Sequence, residues 1–360
     1  MTDVTTAANR MTIGIDLGDR FSHFCVLDEA GETIEEGRLA MTEIAFRRRF
    51  ETAPAARIAI EVGTHSPWVD ALLTKLGHEV LVANPRKLRM IFKSDRKNDR
   101  LDAEQLARVA RLDPKLLSPI AHRERSTRAD LAVARARDTA VAARTRMVNH
   151  VRGCLKSFAV RLPKCSTRTF PRRVVAAVPK ELRPALVPLL RMIGELTERI
   201  VAYEKRIERL SKERYPETAL LRQVNGVGAV TALTFVLTLE EPRRFRSSRS
   251  VGAYLGLRPK QRQSGASDPE LRISKAGDRD LRRLLVQSAQ YMLGPFGCDS
   301  DLRRFGSKIA ARGGKSAKRR AVVALARKLA VLLHRLWVTG EVYEPLRTAT
   351  RCAPPVVAIP

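Results

Sequence analysis

The sequence predicts an α/β domain at its N-terminal end, followed by a long helical region and a second, mainly helical domain. Three observations support this fold class. Short alternating apolar runs before residue 84 predict strands, the apolar spacing beyond residue 100 becomes helical, and residues 189–210 carry a heptad repeat. A chain of 360 residues is also long enough for two domains.

The predicted strands and helices of the first domain follow one another in a definite order. Strands are predicted at 11–17, 22–28, 32–39, 57–62 and 78–83, and helices at 43–50 and 67–76. Residues 28–31 predict a hairpin turn, and Gly77 predicts the end of the second helix. Three strands in a meander, then helix, strand, helix, strand and helix, is the order that an RNase H-like α/β domain requires.

The region beyond residue 100 is predicted to be helical, with helices at 102–112 and 127–158. A heptad repeat with spacings of four and three residues then joins Leu189, Ile193, Leu196, Ile200, Tyr203, Ile207 and Leu210. Such a seam is typical of a coiled coil. Pairing within one chain as a helical hairpin and pairing between subunits both fit the pattern.

These patterns divide the chain into an RNase H-like domain at 11–125, a basic helical and coiled-coil region at 126–216, and a C-terminal domain at 217–346. Disordered ends are expected at 1–10 and 347–360. The five cysteines are scattered and form no C-x-x-C pair, which is typical of reduced packing cysteines in the cytoplasm. Neither a secretory signal nor a membrane-spanning segment is predicted.

The charge of the chain predicts a polyanionic partner. Lys and Arg number 67 against 38 Asp and Glu, a formal net charge of +29, and basic side chains bind nucleic acid by releasing condensed counterions. Residues 139–180 contain ten Lys or Arg and no acid. We expect phosphate contacts from this stretch at Arg144, Arg146, Arg152 and Lys156. A nucleoid-associated place in the cytoplasm follows from that expectation.

Four carboxylates predict a metal site. Asp16 and Glu61 fall within or at the end of apolar strands, where a carboxylate is costly unless it is paired or binds a cation. Asp99 and Asp102 are three residues apart, which places them on one helix face, although Asp102 could instead be an N-cap. In an RNase H-like topology all four would converge, and hard oxygen ligands favour Mg²⁺ or Mn²⁺. Sugar kinases carry a first strand similar to G-I-D-L-G, but their Gly-rich adenosine segment is absent from this sequence.

A second motif lies at the start of the C-terminal domain. Residues 221–239 contain a G-x-G turn, Gly226 and Gly228, between two apolar helical runs, as in a helix-hairpin-helix. The glycines would let backbone N–H groups approach a phosphate closely. A tight helix–helix turn without a ligand fits the pattern equally well.

The motifs in combination resemble the DEDD transposases of the IS110 insertion-sequence family. The resemblance runs from about Thr12 to Leu346 and rests on Asp16, E-V-G-T-H-S-P-W, G-H-E-V-L-V-A-N-P-R-K-L-R, R-K-N-D-R-L-D-A, L-R-Q-V-N-G-V-G-A-V-T-A, Y-L-G-L-R-P-K-Q-R-Q-S-G and I-S-K-A-G-D-R-D-L-R-R-L-L. It implies a RuvC-like domain, a coiled coil and a transposase domain. It also implies DNA recombination that is guided by a noncoding bridge RNA pairing with donor and target DNA, in a dimer that assembles into a tetramer with composite active sites.

The resemblance also assigns roles to residues. The DEDD acids fall on Asp16, Glu61, Asp99 and Asp102, and the nucleophilic serine falls on Ser264 in Q-S-G. Arg258, Lys260 and Arg262 flank the serine and are candidates to hold the scissile phosphate or to make nonspecific phosphate contacts. Lys275 is a further candidate for binding nucleic acid. From the sequence alone, a serine in a basic loop is more often a phosphate hydrogen-bond donor or a turn residue than a nucleophile.

Two other functions remain compatible with the sequence. A RuvC-like, structure-selective DNA endonuclease would use the four acids and two metal ions, with no covalent intermediate. A non-enzymatic nucleic-acid-binding protein with an inactive nuclease fold would explain the charge but not the four carboxylates. His65 lies close to Glu61 in the sequence and is a further candidate to touch the site.

Overall fold

The computed structural model describes residues 11–84, 98–265, 267, 269, 271–314 and 316–347. The ends that were expected to be disordered lie outside the described residues, apart from Arg347. Residues 85–97, which include most of the N-P-R-K-L-R motif, also lie outside them. The chain divides into two compact units between His122 and Arg123. The further division expected near residue 216 falls inside the second unit and stays a prediction.

A mixed five-stranded sheet forms the centre of the first unit. Its strands are β1 (Thr12–Asp16), β2 (Phe21–Leu27), β3 (Thr33–Ala40), β4 (Arg57–Glu61) and β5 (Glu79–Ala83). They lie in the order β3-β2-β1-β4-β5, with β1, β2 and β3 antiparallel and β1, β4 and β5 parallel. This topology is consistent with the RNase H-like domain that the element order predicts.

Helices cover both faces of the sheet. Helices α1 (Glu43–Phe50) and α2 (Ser66–Lys75) pack against one face, whereas α3 (Asp99–Leu112) packs against the other. Side chains alternate along a strand, and therefore Ile13 and Ile15 join the core beneath α1 and α2. Gly14 and Asp16 lie on the face covered by α3.

The elements of the first unit agree with the predicted ones to within a few residues. The predicted turn at 28–31 is confirmed, since Asp28 Oδ1 accepts hydrogen bonds from Ala30 N and Glu32 N, each at 2.8 Å, and Gly31 has a φ of 90°. Helix α3 begins three residues earlier than predicted, with Asn98 as its N-cap. The alternative that Asp102 caps this helix is therefore wrong.

The second unit is helical in all of its described elements. Its α-helices are α4 (Arg125–Ser157), α5 (Phe170–Val174), α6 (Arg183–Glu213), α7 (Thr218–Arg222), α8 (Ala229–Leu239), α9 (Ser248–Tyr254), α10 (Arg279–Leu293), α11 (Asp301–Ala310) and α12 (Ala317–Thr339). Across the described part of the chain, no helix combines the length and the apolar character needed to cross a membrane.

The two longest helices, α4 and α6, pack against each other along their lengths. The start of α6 shares a core with the end of α4, and Ile207 and Leu210 share one with Leu131 near the start of α4. The helices therefore run antiparallel. The heptad residues of α6 serve this pairing within one chain, and coiled-coil pairing between subunits stays a prediction.

An ion pair to a buried carboxylate joins the end of α6 to α4. The Asp130 carboxylate is 5% exposed, pairs with Arg214 at 2.6 Å and accepts a hydrogen bond from the Tyr215 hydroxyl at 2.8 Å. Burial of the phenol and this bond to Asp130 raise the pKa of Tyr215 to about 12. Tyr215 therefore remains a neutral hydrogen-bond donor throughout the physiological range.

Candidate active site

The first carboxylate of the candidate site lies where β1 ends. Asp16 is the last residue of β1, and it is half-buried on the face that α3 covers. The three residues before it are buried between the sheet and its helices. The buried strand therefore holds the Asp16 backbone in place, while the Asp16 side chain remains partly accessible to solvent.

Gly14 allows α3 to approach β1 closely. A Cβ atom at this position would lie 2.0 Å from Ala103 O and 2.5 Å from Ala107 N, well inside van der Waals contact. Only glycine therefore lets the helix backbone rest on the strand. Asp102 directly precedes Ala103 in α3, and Asp99 lies about one helical turn before Ala103. The contact between Gly14 and α3 therefore brings both carboxylates to the end of β1.

Three of the four predicted acids form a cluster. Oxygen atoms of Asp16, Asp99 and Asp102 lie within 4.8 Å of one another, and all three residues are accessible to solvent. Carboxylates this close together repel one another, and a divalent cation bound between them would relieve the repulsion. The donor set, three carboxylates with open coordination positions, fits a hard cation such as Mg²⁺ or Mn²⁺.

Glu61 lies on the neighbouring strand but outside this cluster. Strands β1 and β4 are parallel with Ile15 opposite Ile60, so Asp16 and Glu61 end adjacent strands. Its carboxylate oxygens are not within the 4.8 Å group. The structure thus brings three of the four acids together, and the place of Glu61 as a fourth ligand stays a prediction.

The structure adds His23 to the surroundings of the acids. His23 lies opposite Asp16 in the β1–β2 pair, and its Nδ1 is 3.9 Å from Asp99 Oδ2. The tight connection between the two strands would have predicted this register. His65 contacts Asp19 at 3.8 Å and accepts a hydrogen bond from Trp68 Nε1 at 3.2 Å.

Ser264 lies at the tip of a loop in the second unit, which we call the serine loop (residues 256–277). Ser264 and Ser267 exchange two backbone hydrogen bonds of 3.1 Å across a two-residue turn, in which Gly265 has a φ of 55°. Further bonds join Lys260 to Arg272 and Ser274 to Arg258. Ser264 is therefore exposed at the end of a hairpin-like arm.

Two glycines fix the base of the serine loop. Gly256 (φ 69°) lies so close to the backbone of Ala276 that a Cβ would be 2.1 Å from its carbonyl oxygen, and Gly277 (φ 75°) makes the same close approach to Tyr254. Arg282 Nη1 donates hydrogen bonds to the carbonyl oxygens of Leu255 and Ala276, at 3.0 and 2.9 Å. These contacts fix the base of the loop against the backbone around Tyr254 and Leu255.

The predicted nucleic-acid contacts differ in their accessibility. Most of them have exposed side chains: Arg146, Arg152, Lys156, Arg258, Lys260, Arg262 and Lys275. Arg144 instead lies half-buried between α4 and α6, where its Nη1 donates a hydrogen bond to Thr197 Oγ1 at 3.3 Å. Burial, with the nearby charge of Arg137, lowers the pKa of Arg144. Its contact with nucleic acid stays a prediction.

The G-x-G turn joins the short helix α7 to α8. Gly226 has a φ of 86°, and Gly228 is the N-cap of α8. Glycine is thus required at the first position by the backbone conformation. The helix-hairpin-helix assignment and the phosphate contacts of the two glycines stay predictions.

Comparisons with known proteins agree with this arrangement. A DEDD family model described as a transposase matches residues 13–160, and the model of the transposase IS116/IS110/IS902 family matches residues 218–297. The transposase for insertion sequence element IS1328 of Yersinia enterocolitica is 30% identical over 287 residues, which cover 78% of this chain and 84% of the relative.

Two further relatives extend the similarity over most of the chain. A probable family 20 transposase of Pseudomonas aeruginosa is 28% identical, with 94% of this chain and 99% of the relative covered. The transposase for insertion sequence element IS1111A of Coxiella burnetii is 26% identical, with 92% and 91% covered.

The carboxylate cluster and these similarities define the class of protein: a transposase, an enzyme that transfers DNA strands. Within that class, the chain belongs to the IS116/IS110/IS902 family of insertion-sequence transposases. Its DEDD family implies dependence on a divalent metal ion, and the clustered carboxylates supply suitable ligands.

Proposed function

We propose that this transposase is an RNA-guided DNA recombinase that combines a metal-bound acid cluster with a serine nucleophile. The observation that carries the proposal is the convergence of Asp16, Asp99 and Asp102 within 4.8 Å at the end of β1. Glu61, at the end of the adjacent strand, is the fourth proposed ligand. Mg²⁺ or Mn²⁺ bound there would stabilise negative charge on a phosphate under attack.

The proposed nucleophile is Ser264. Its hydroxyl oxygen would form a bond to the phosphorus of a phosphodiester while the bond from phosphorus to the 3′ oxygen breaks. The serine proton is balanced by protonation of the leaving oxygen, which yields a covalent protein–DNA adduct and a free 3′-hydroxyl. A serine hydroxyl is a weak nucleophile by itself, and the exposed Arg258, Lys260 and Arg262 would hold the phosphate.

The proposed partners are donor DNA, target DNA and a noncoding bridge RNA. The net charge of +29 supports partners with many phosphates, and so do the exposed basic side chains of α4. The proposed assembly is a dimer that pairs into a tetramer. Each active site would take its acids from one chain and its serine from another.

The experiment is a recombination assay in cells that supply the protein, its native flanking noncoding DNA and a target plasmid. We expect sequence-matched junctions for the wild type, and none for Asp16→Asn or Ser264→Ala. In vitro, Asp16→Asn is expected to keep its DNA affinity. Junctions or a normal adduct with Ser264→Ala would overturn the serine mechanism and favour hydrolysis by a RuvC-like endonuclease. A bridge RNA would be supported if junctions at the original target disappear when the flanking noncoding sequence is altered and the protein is left unchanged.

A further inference from the structure

A pocket of about 530 Å³ lies on the second unit, between the G-x-G turn and α10. Helix α10 lines it with residues at positions i, i+3, i+4 and i+7, which form one face of a helix: Leu284, Gln287, Ser288 and Tyr291. The turn contributes Asn225, Gly226 and Gly228, and α8 contributes Thr231. The volume falls within the range of small-ligand sites, roughly 300–1,000 Å³.

Two residues with small exposed fractions present hydroxyl groups at the wall of this pocket. Ser288 is 4% exposed and Thr231 is 7% exposed. Within the described residues, neither hydroxyl makes a side-chain hydrogen bond, although most buried polar groups in proteins do. Both residues line the pocket. Both hydroxyls are therefore available to form hydrogen bonds with a polar ligand in the pocket.

The start of α8 provides a second binding element. Its N-cap is Gly228, which makes no side-chain capping bond and lines the pocket, so no capping side chain occupies the first backbone N–H groups of the helix. Such a helix start binds phosphate through N–H donors and the helix dipole. Gly226 packs against Tyr291, since a Cβ there would lie 3.0 Å from the Tyr291 ring.

The pocket is nearly neutral, although the chain carries a net charge of +29. Arg222 is its one charged lining residue among those described, and its guanidinium donates two hydrogen bonds to Glu208, at 2.8 and 3.0 Å. What remains are the amides of Asn225 and Gln287, the two hydroxyls, and the Tyr291 ring, which is 44% exposed. Amides and hydroxyls match the hydrogen-bonding edges of a nucleobase, and an aromatic ring matches its face.

We propose that this pocket holds one nucleotide that is turned out of a single-stranded segment of nucleic acid. The base stacks on Tyr291 and hydrogen-bonds to Asn225, Gln287 and the two hydroxyls, while its phosphate lies at the start of α8. The proposal rests on the proposed function, since it specifies how the same protein grips an unpaired strand. DNA and RNA share this chemistry, and the experiment distinguishes them.

The test uses the full chain and short single-stranded oligonucleotides that carry one 2-aminopurine, as DNA and as RNA of the same sequence. Base fluorescence and affinity are measured in EDTA, so that no strand is cut. Wild type is expected to change the fluorescence on binding. Tyr291→Leu is expected to remove that change and to weaken binding about five- to hundredfold, in line with measured stacking contributions. A larger effect with one of the two sugars identifies the source of the nucleotide.

Three further variants make the result specific. Tyr291→Phe keeps the ring and should behave as wild type, and Ser288→Ala should weaken binding severalfold. Phe296→Leu removes an aromatic ring that is 75% exposed and outside the pocket, and should have no effect. Equal fluorescence and affinity for Tyr291→Leu and wild type would overturn the proposal. Because the measurement needs neither metal nor Ser264, this outcome is independent of whether recombination occurs.

Discussion

At the scale of single residues, the candidate site depends on a position without a side chain. Gly14 takes no part in chemistry, but it sets the distance between β1 and α3. The carboxylates of Asp16, Asp99 and Asp102 reach one another because the helix backbone rests on the strand there. A site of this kind is sensitive to volume as well as to charge.

Gly14→Ala is therefore expected to push α3 away from β1. Overpacking of this type costs about 1–3 kcal/mol, and separation of the carboxylates should weaken Mn²⁺ binding. Thermal unfolding and Mn²⁺ titration of the purified protein measure the two effects. Gly63→Ala is the matched control, since a Cβ at Gly63 has no atom within 4 Å. If both variants retain wild-type stability and metal affinity, the close contact does not shape the site.

Much of the site was predictable from single residues, and the exceptions have physical reasons. The types of Asp16, Glu61, Asp99 and Asp102 indicated a metal site, and the structure brings three of them together. Sequence spacing placed Glu61 at the end of the adjacent strand, but spacing does not determine the side-chain conformation that sets the position of a carboxylate. His23 was missed because its proximity follows from the β1–β2 register, and a histidine in a strand is otherwise a common core residue.

At the scale of elements, periodicity predicted the strands and helices well, and it was least informative about partners. The heptad residues of α6 indicated pairing but not with which helix. In the structure the partner is α4, and polar contacts between them supplement the apolar seam: Arg137 pairs with Glu204 at 2.6 Å. The arginines of α4 therefore differ in their surroundings, because Arg137 and Arg144 contact α6 whereas Arg146 and Arg152 are exposed to solvent.

The two roles predict different effects for neighbouring arginines of α4. Arg146 is exposed, whereas Arg144 is half-buried against α6. Arg146→Gln should lower nucleic-acid affinity on every sequence and reduce the slope of log affinity against log salt by about 1. Arg144→Gln should leave that slope nearly unchanged. Fluorescence anisotropy over a salt series provides the measurement, and equal loss of slope in both variants would contradict the assignment.

At the scale of the whole molecule, the proposed catalytic groups are divided between two compact units. The carboxylates belong to residues before His122, and Ser264 belongs to the unit that begins at Arg123. Neither unit alone contains both kinds of group. A site assembled from two chains, as proposed above, would make each chain supply one half of two different sites.

Mixing two inactive variants tests this arrangement. A dimer of one Asp16→Asn chain and one Ser264→Ala chain would contain one intact composite site, so the mixture should regain part of the strand-exchange activity that neither variant shows alone. Recombination by the purified proteins on bridge-RNA-matched DNA is the measurement. If the mixture binds DNA as tightly as wild type but shows no strand exchange, the acids and the serine of each site come from the same chain. A mixture in which one of the two variants is replaced by the double variant Asp16→Asn/Ser264→Ala gives the background strand-exchange activity.

The fixed base of the serine loop also has a consequence for how the protein could be re-engineered. Gly256 and Gly277 fix the base of the loop, and backbone hydrogen bonds join the two arms beyond it. We therefore expect that residues can be added to the arms without disturbing the helices at the base. Each pair of residues added, one per arm, would extend the tip by about 3.3 Å. If Ser264 is the nucleophile, as proposed above, the length of the loop would set how far from its base the serine can reach a phosphodiester.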